Sequence, residues 1–171
     1  IAQAADPEDR LVRQDTYKGQ QAREINEDGT EVFDESARLQ SQTYFKGIFQ
    51  EEKADFTDAY KLDGTLRSRT LNFYEDDDAD PATFDDATNA DAEAALRMQR
   101  SFRYKDGVLT LDKISQTFFV GDFQEEKSDY SLNYKSDGQN VRSTTFFYYG
   151  DNSKIAQAAD PEDRLVRQDT Y

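Results

Sequence analysis

The chain has 171 residues, 36 acidic and 21 basic, with a formal charge of −15 and a pI near 4.3. Such a surface repels phosphate backbones and anionic membranes, so neither is an expected partner, and no apolar run is long enough to insert into a bilayer. Cysteine, histidine and tryptophan are absent, which excludes disulfides, Cys/His zinc sites and histidine-based nucleophilic triads. Phenylalanine and tyrosine reach 13 %, enough to imply a folded structure despite only 36 % hydrophobic residues.

The first seventeen residues, IAQAADPEDRLVRQDTY, recur unchanged as residues 155–171, a period of 154. The chain opens on Ile1 rather than Met and carries no signal-peptide pattern, which reads as an interior piece of a longer polypeptide. Within the repeated segment Asp6 precedes Pro7, and Asp160 precedes Pro161. Aspartate before a proline at a first helical position predicts a helical turn over 4–14 and 158–168, leading into a strand. That strand covers 11–18 and 165–171, with Leu11, Val12, Tyr17, Leu165, Val166 and Tyr171 as its joining residues.

Next come hairpins. Asp-Gly occurs at 28–29, 63–64, 106–107 and 137–138, between runs whose apolar residues alternate, such as Tyr130, Leu132 and Tyr134. TYFKGIF (43–49) and TTFFYYG (144–150) are aromatic at successive positions and predict central strands. NADAEAALRMQR (89–100) is rich in helix formers and predicts a short helix capped by Asn89 or Asp91.

A second repeat lies inside the first. QTYFKGIFQEEKADFTDAYKLDG (42–64) aligns without a gap on QTFFVGDFQEEKSDYSLNYKSDG (116–138), and RSRTLNFYEDD (67–77) on RSTTFFYYGDN (142–152). The openings at Leu11, Leu96 and Leu165 align in turn. These divide the chain into a half-repeat over 1–85, a second over 86–154, and the start of the next period at 155–171. A deliberately duplicated, engineered terminus is the other account of the repeat; the older internal copy favours natural tandem growth.

Two acidic stretches are candidate sites. Asp76, Asp78 and Asp80, with Asp85 and Asp86 beyond, have the alternate spacing that lets carboxylates converge on calcium, the one cofactor the sequence suggests. Pro81 and Ala87 stand where an EF-hand needs glycine and glutamate, so the loop is not an EF-hand, and a solvated acidic loop is the plainer account. FQEEK, at 49–53 and 123–127, offers adjacent carboxylates, but neighbours on a strand point to opposite faces and make a poor catalytic pair. Charges guarding a sheet edge suit them better. Arg67, Arg69, Arg103 and Arg142 read as cross-strand salt partners, and Phe146, Tyr148 and Tyr149 as packing rather than sugar-stacking residues.

The expected fold is therefore all-β, mainly antiparallel hairpins, in a sandwich, barrel or solenoid with one or two short helices, internally duplicated as a tandem-repeat module. The expected role is a structural module of an extracellular or cell-surface fibre or adhesin stalk, not an enzyme. Its partners would be neighbouring identical repeats or copies of itself, interlocked through the terminal strands. The alternative is an adhesion module that binds a surface glycan or depends on calcium.

Overall fold

Among the described residues Asp106 and Gly107 form the tightest connection, a two-residue turn with φ of 51° and 77°. Both angles are positive, as a primed hairpin turn requires, and Asp-Gly accepts them at little steric cost. Antiparallel strand pairs, most with longer connections, build the described sheet. The computed structural model describes residues 9–19, 24–28, 31–32, 38–76 and 83–171.

Thirteen strands occupy these residues. They are β1 (Arg13–Tyr17), β2 (Glu24–Ile25), β3 (Glu31–Val32), β4 (Leu39–Lys46), β5 (Lys53–Tyr60), β6 (Leu66–Glu75) and β7 (Phe84–Asp85). The rest are β8 (Leu96–Lys105), β9 (Val108–Val120), β10 (Lys127–Tyr134), β11 (Val141–Tyr149), β12 (Lys154–Ile155) and β13 (Leu165–Thr170). Eleven form one open antiparallel sheet in the order β1-β4-β5-β6-β8-β9-β10-β11, with β12 and β13 on β11 and β7 on β6. The pair β2–β3 forms a separate two-stranded ribbon.

The open sheet corrects the expected sandwich or barrel. Alternating apolar residues tell which side chains share a face, not whether a second layer covers it. Here aromatic rings cover one another along a face instead. Tyr44 stacks on Phe56 at 4.6 Å and Phe118 on Tyr130 at 4.6 Å, and the second row continues through Phe146 to Tyr171 at 6.3 and 6.2 Å. The opposite face carries hydroxyl pairs across strands: Thr43–Thr57 (2.9 Å), Thr70–Ser101 (2.7 Å), Thr117–Ser131 (3.0 Å) and Thr145–Thr170 (2.9 Å). Among the described residues no large side chain is fully buried. Cross-strand pairs, each contributing about 0.2–1 kcal/mol, therefore carry more of the stability than in a layered domain.

The expected helices are also corrected. Residues 89–95 turn without helix, and Leu96–Lys105 is β8, one of the longest strands. Leu165–Thr170 is β13, and helical structure near it is limited to a single 3-10 turn at Ala156–Ala158. Residues 1–8 of the first copy lie outside the described residues; Arg13–Tyr17 is strand. Helix propensity is a weak prior, and each of these segments finds an open strand edge whose backbone groups it satisfies.

Irregularities in the ladder recur at matching places. The β4–β5 register slips where Tyr44–Phe56 gives way to Phe45–Ala54, and the β9–β10 register where Phe118–Tyr130 gives way to Phe119–Ser128. The β5–β6 ladder slips at Tyr60–Leu66 and the β10–β11 ladder at Tyr134–Val141. Gly47 and Gly121 have φ of 113° and 110°, and Gln50 and Gln124 both 68°.

Among the described residues a local core sits at the end of β6. Tyr74, Ala87 and Ala94 are buried together, with Ala90 and Leu96 packed against them, so the 86–95 loop folds over the strand end.

Candidate functional site

The two identical copies of RQDTY lie at opposite edges of the sheet, and they use opposite edges of themselves. In β1, Val12 O accepts from Phe45 N–H at 3.0 Å, and Gln14 and Thr16 lie opposite Thr43 and Ser41. Hydrogen-bonded pairs alternate along an antiparallel ladder, so Val12, Gln14 and Thr16 face β4, while Arg13, Asp15 and Tyr17 turn their backbone groups outward. In β13 the phase is reversed. Tyr171 and Thr144 exchange both backbone bonds at 2.9 Å, which places Asp169 and Arg167 toward Phe146 and Tyr148 of β11. Gln168 and Thr170, the counterparts of Gln14 and Thr16, are the residues facing outward.

Strand β8 occupies both kinds of neighbour at once. Toward β9 it pairs Met98–Phe118, Gln99–Thr117, Arg100–Gln116, Ser101–Ser115 and, after a slip, Phe102–Lys113. Toward β4, β1 pairs Arg13–Tyr44, Gln14–Thr43, Asp15–Gln42, Thr16–Ser41 and, after a slip, Tyr17–Leu39. On its other side β8 pairs Thr70–Ser101, Phe73–Met98 and, past a slip, Tyr74–Leu96. For β13 on β11 the matching pairs are Thr145–Thr170, Tyr148–Arg167 and Tyr149–Leu165. Every pair in the first comparison keeps one offset, and so does every pair in the second.

Side chains repeat the division. Leu96 N–H donates to Glu126 Oε1 at 3.0 Å and Arg97 to Gly121 O at 2.6 Å, toward the following strands. The first terminal copy reaches the matching acceptors: Leu11 N–H donates to Glu52 Oε1 at 2.9 Å, and Arg10, which stands two residues before the counterpart of Arg97, donates to Gly47 O at 2.9 Å. Backward, Glu75 N–H donates to Ala95 O at 2.8 Å, and Lys53 Nζ donates to Ala94 O at 2.8 Å. The second terminal copy has these: Gly150 N–H donates to Arg164 O at 2.9 Å, and Lys127 Nζ donates to Pro161 O and Asp163 O, both at 2.9 Å. One terminal copy thus has one half of the contacts that β8 makes, and the other copy has the other half.

The lysines of FQEEK are what the sequence reading passed over. Lys53 is buried, with its ammonium 4.9 Å from the Tyr74 ring and 4.7 Å from Phe123. Burial lowers its pKa, opposed by the charges of Glu126 and Asp91. Lys127 lies 5.1 Å from the Tyr149 ring. The available signal was the recurrence of Glu-Glu-Lys as a unit; Glu52 and Glu126 hold the N–H of Leu11 and Leu96 at the opening of the earlier strands β1 and β8, and each lysine clamps the loop that leads into the next opening strand.

The joining residues named from sequence fall as follows. Tyr17 is in β1, Leu165 and Val166 are in β13, and Leu11 and Val12 immediately precede β1. Leu11, Val12, Leu165 and Val166 are 48, 55, 45 and 51 % exposed, half-open on the two sheet ends alike. Tyr171 is 76 % exposed, its ring reaching Phe146 edge-on.

Of the calcium candidates, Asp78 and Asp80 lie outside the described residues. Asp76 accepts from Thr83 Oγ1 at 2.8 Å, Asp85 pairs with Tyr74 in β7, and Asp86 Oδ1 accepts from Thr88 N–H at 2.9 Å and Asn89 N–H at 3.2 Å. Among the described residues no three metal-ligating side chains are grouped closely enough to hold an ion. Of the arginines, Arg69 grips Asp58 with both forks at 2.8 and 2.7 Å, as a cross-strand partner. Near the β4–β5–β6 turns, Lys18, Arg38, Lys61 and Arg67 gather around a cleft of about 600 Å³ with Tyr60 in its wall.

No protein-family model matches the chain, and no curated protein matches it in sequence.

Proposed function

We propose that this chain is an internally duplicated structural module of a tandem-repeat fibre or stalk at a cell surface, in which neighbouring modules share one terminal strand. The observation that carries the reading is the double role of β8. It is held by β6 and β9 in the same two registers that β11 offers to β13 and β4 offers to β1. If residues 155–171 also serve as the first strand of a following period, that strand has both edges filled, and the sheet runs through the junction without a break. Stability then grows by nearest-neighbour interfaces, and the product is an elongated acidic ribbon acting as a spacer. The role needs no turnover, metal or cofactor. The test is a chain in which a second period follows the first. One cooperative transition, with a denaturant slope above that of the single module, supports the reading; the unchanged slope of independent modules contradicts it.

A second reading rests on the cleft lined by Lys18, Arg38, Lys61 and Arg67, which concentrates cations on a chain of charge −15. An acidic polysaccharide is the ligand that such a groove, with Tyr60 beside it, would take. Salt-sensitive binding of a polyuronate, lost in Lys61→Glu/Arg67→Glu, favours this reading; equal indifference of both proteins removes it.

A further inference from the structure

We propose that residues 9–17 are an exchangeable strand, so that either sheet end accepts the identical segment of a second copy of this chain in place of its own and copies join head to tail. The inference rests on the shared-strand reading and extends it from one chain to two. Segment 9–17 is identical to 163–171, so the β4 edge has no means of distinguishing its own strand from another molecule's. The donor need not leave its own sheet. β13 stays on β11 through Arg167, Asp169 and Tyr171 and offers Gln168 and Thr170 outward, the edge by which the same sequence pairs with β4. β1 offers the converse edge, through Arg13 and Asp15, to a foreign β11. β8 shows that a strand in this register satisfies both neighbours together. In the unaltered chain each edge is covered by its own copy, so the two copies act as plugs, and joining requires one plug to be displaced.

Paired proline substitutions in the full chain test this, because the same aspartate has opposite roles in the two copies. Asp169 N–H faces β11, so Asp169→Pro unplugs that edge. Asp15 N–H faces outward, so Asp15→Pro leaves β1 on β4 yet blocks β1 from filling a foreign β11. Sedimentation equilibrium is expected to give one chain's mass for the unaltered protein and multimers rising with concentration for Asp169→Pro. The double variant is expected to return to one chain's mass. The free peptide IAQAADPEDRLVRQDTY is expected to bind Asp169→Pro one to one and dissolve its multimers. An Asp169→Pro chain that is folded, stays monomeric and ignores the peptide overturns the proposal, as does a double variant that still multimerises. If Asp169→Pro unfolds, refolding on peptide addition supports exchange, and its absence overturns it. A two-period chain that unfolds as one unit while Asp169→Pro fails these tests confines strand sharing to one chain; failure of both removes the shared-strand reading itself.

Discussion

Tyr74 and Tyr149 each close a strand end and send a hydroxyl back to a carbonyl, Tyr74 to Ala54 O at 2.7 Å and Tyr149 to Ser128 O at 2.8 Å. Burial, then the nearby charges of Asp55 and Glu126, pushes the Tyr74 hydroxyl up to about 12, so it donates across the whole working pH range. Tyr74→Phe and Tyr149→Phe should each cost about 1 kcal/mol in chemical denaturation, the net worth of one such bond. A third group, exposed where the two tyrosines are buried, supplies the pH dependence. Asp137 accepts from the Asn140 side chain and from the Gln139 and Asn140 N–H groups, which hold its carboxyl down to about 2 from 3.8. A carboxyl lowered on folding stabilises above its unfolded pKa, and the contribution is lost as pH falls from about 4 to about 2. Asp137→Ala should therefore lower the melting temperature near neutral pH and change it little below pH 2. An equal loss at both would place the effect outside this carboxylate.

At the scale of elements, the turns between β4 and β5 and between β9 and β10 are the stiffest predictions. A Cβ at Gly47 would lie 2.6 Å from Glu51 O, and at Gly121 2.7 Å from Glu125 O, both at strongly positive φ. Gly47→Ala and Gly121→Ala should each destabilise by about 1–3 kcal/mol, read from the denaturation midpoint. The paired sequences around these glycines were legible as a repeat, and so were the hairpins marked by Asp-Gly. The register slips at Tyr60 and Tyr134 were not, because a bulge is set by the partner strand and leaves no fixed mark on one chain. NADAEAALRMQR misled in a different way. Its alanines satisfy helix propensity, but Met98, Gln99 and Arg100 find ladders on both sides, and two strand partners outweigh a short helix's intramolecular bonds. Of the candidate site, the joining strand was legible from identity alone. The opposite use of its two edges depends on register and became visible only in three dimensions.

At the scale of the molecule, one sheet runs from β1 to β13 and is continuous across residues 76–95 by the β6–β8 pairing. Its end strands are half-exposed and carry Arg, Gln, Asp and Thr beside the Leu-Val pair, and charged edges resist random pairing while leaving a register-matched strand acceptable. The net charge of −15 makes end-to-end approach salt-dependent, so a two-period chain should gain stability relative to the single module as salt screens the repulsion between periods. The most direct measurement is amide hydrogen exchange at Gln168 and Thr170 in the 171-residue chain and in a chain carrying a further period. The shared-strand account predicts fast exchange in the first and protection in the second, matching that of Gln99 and Ser101 in β8. Amides that exchange equally fast in both would show that the sheet stops at β13, and that successive modules are separate beads.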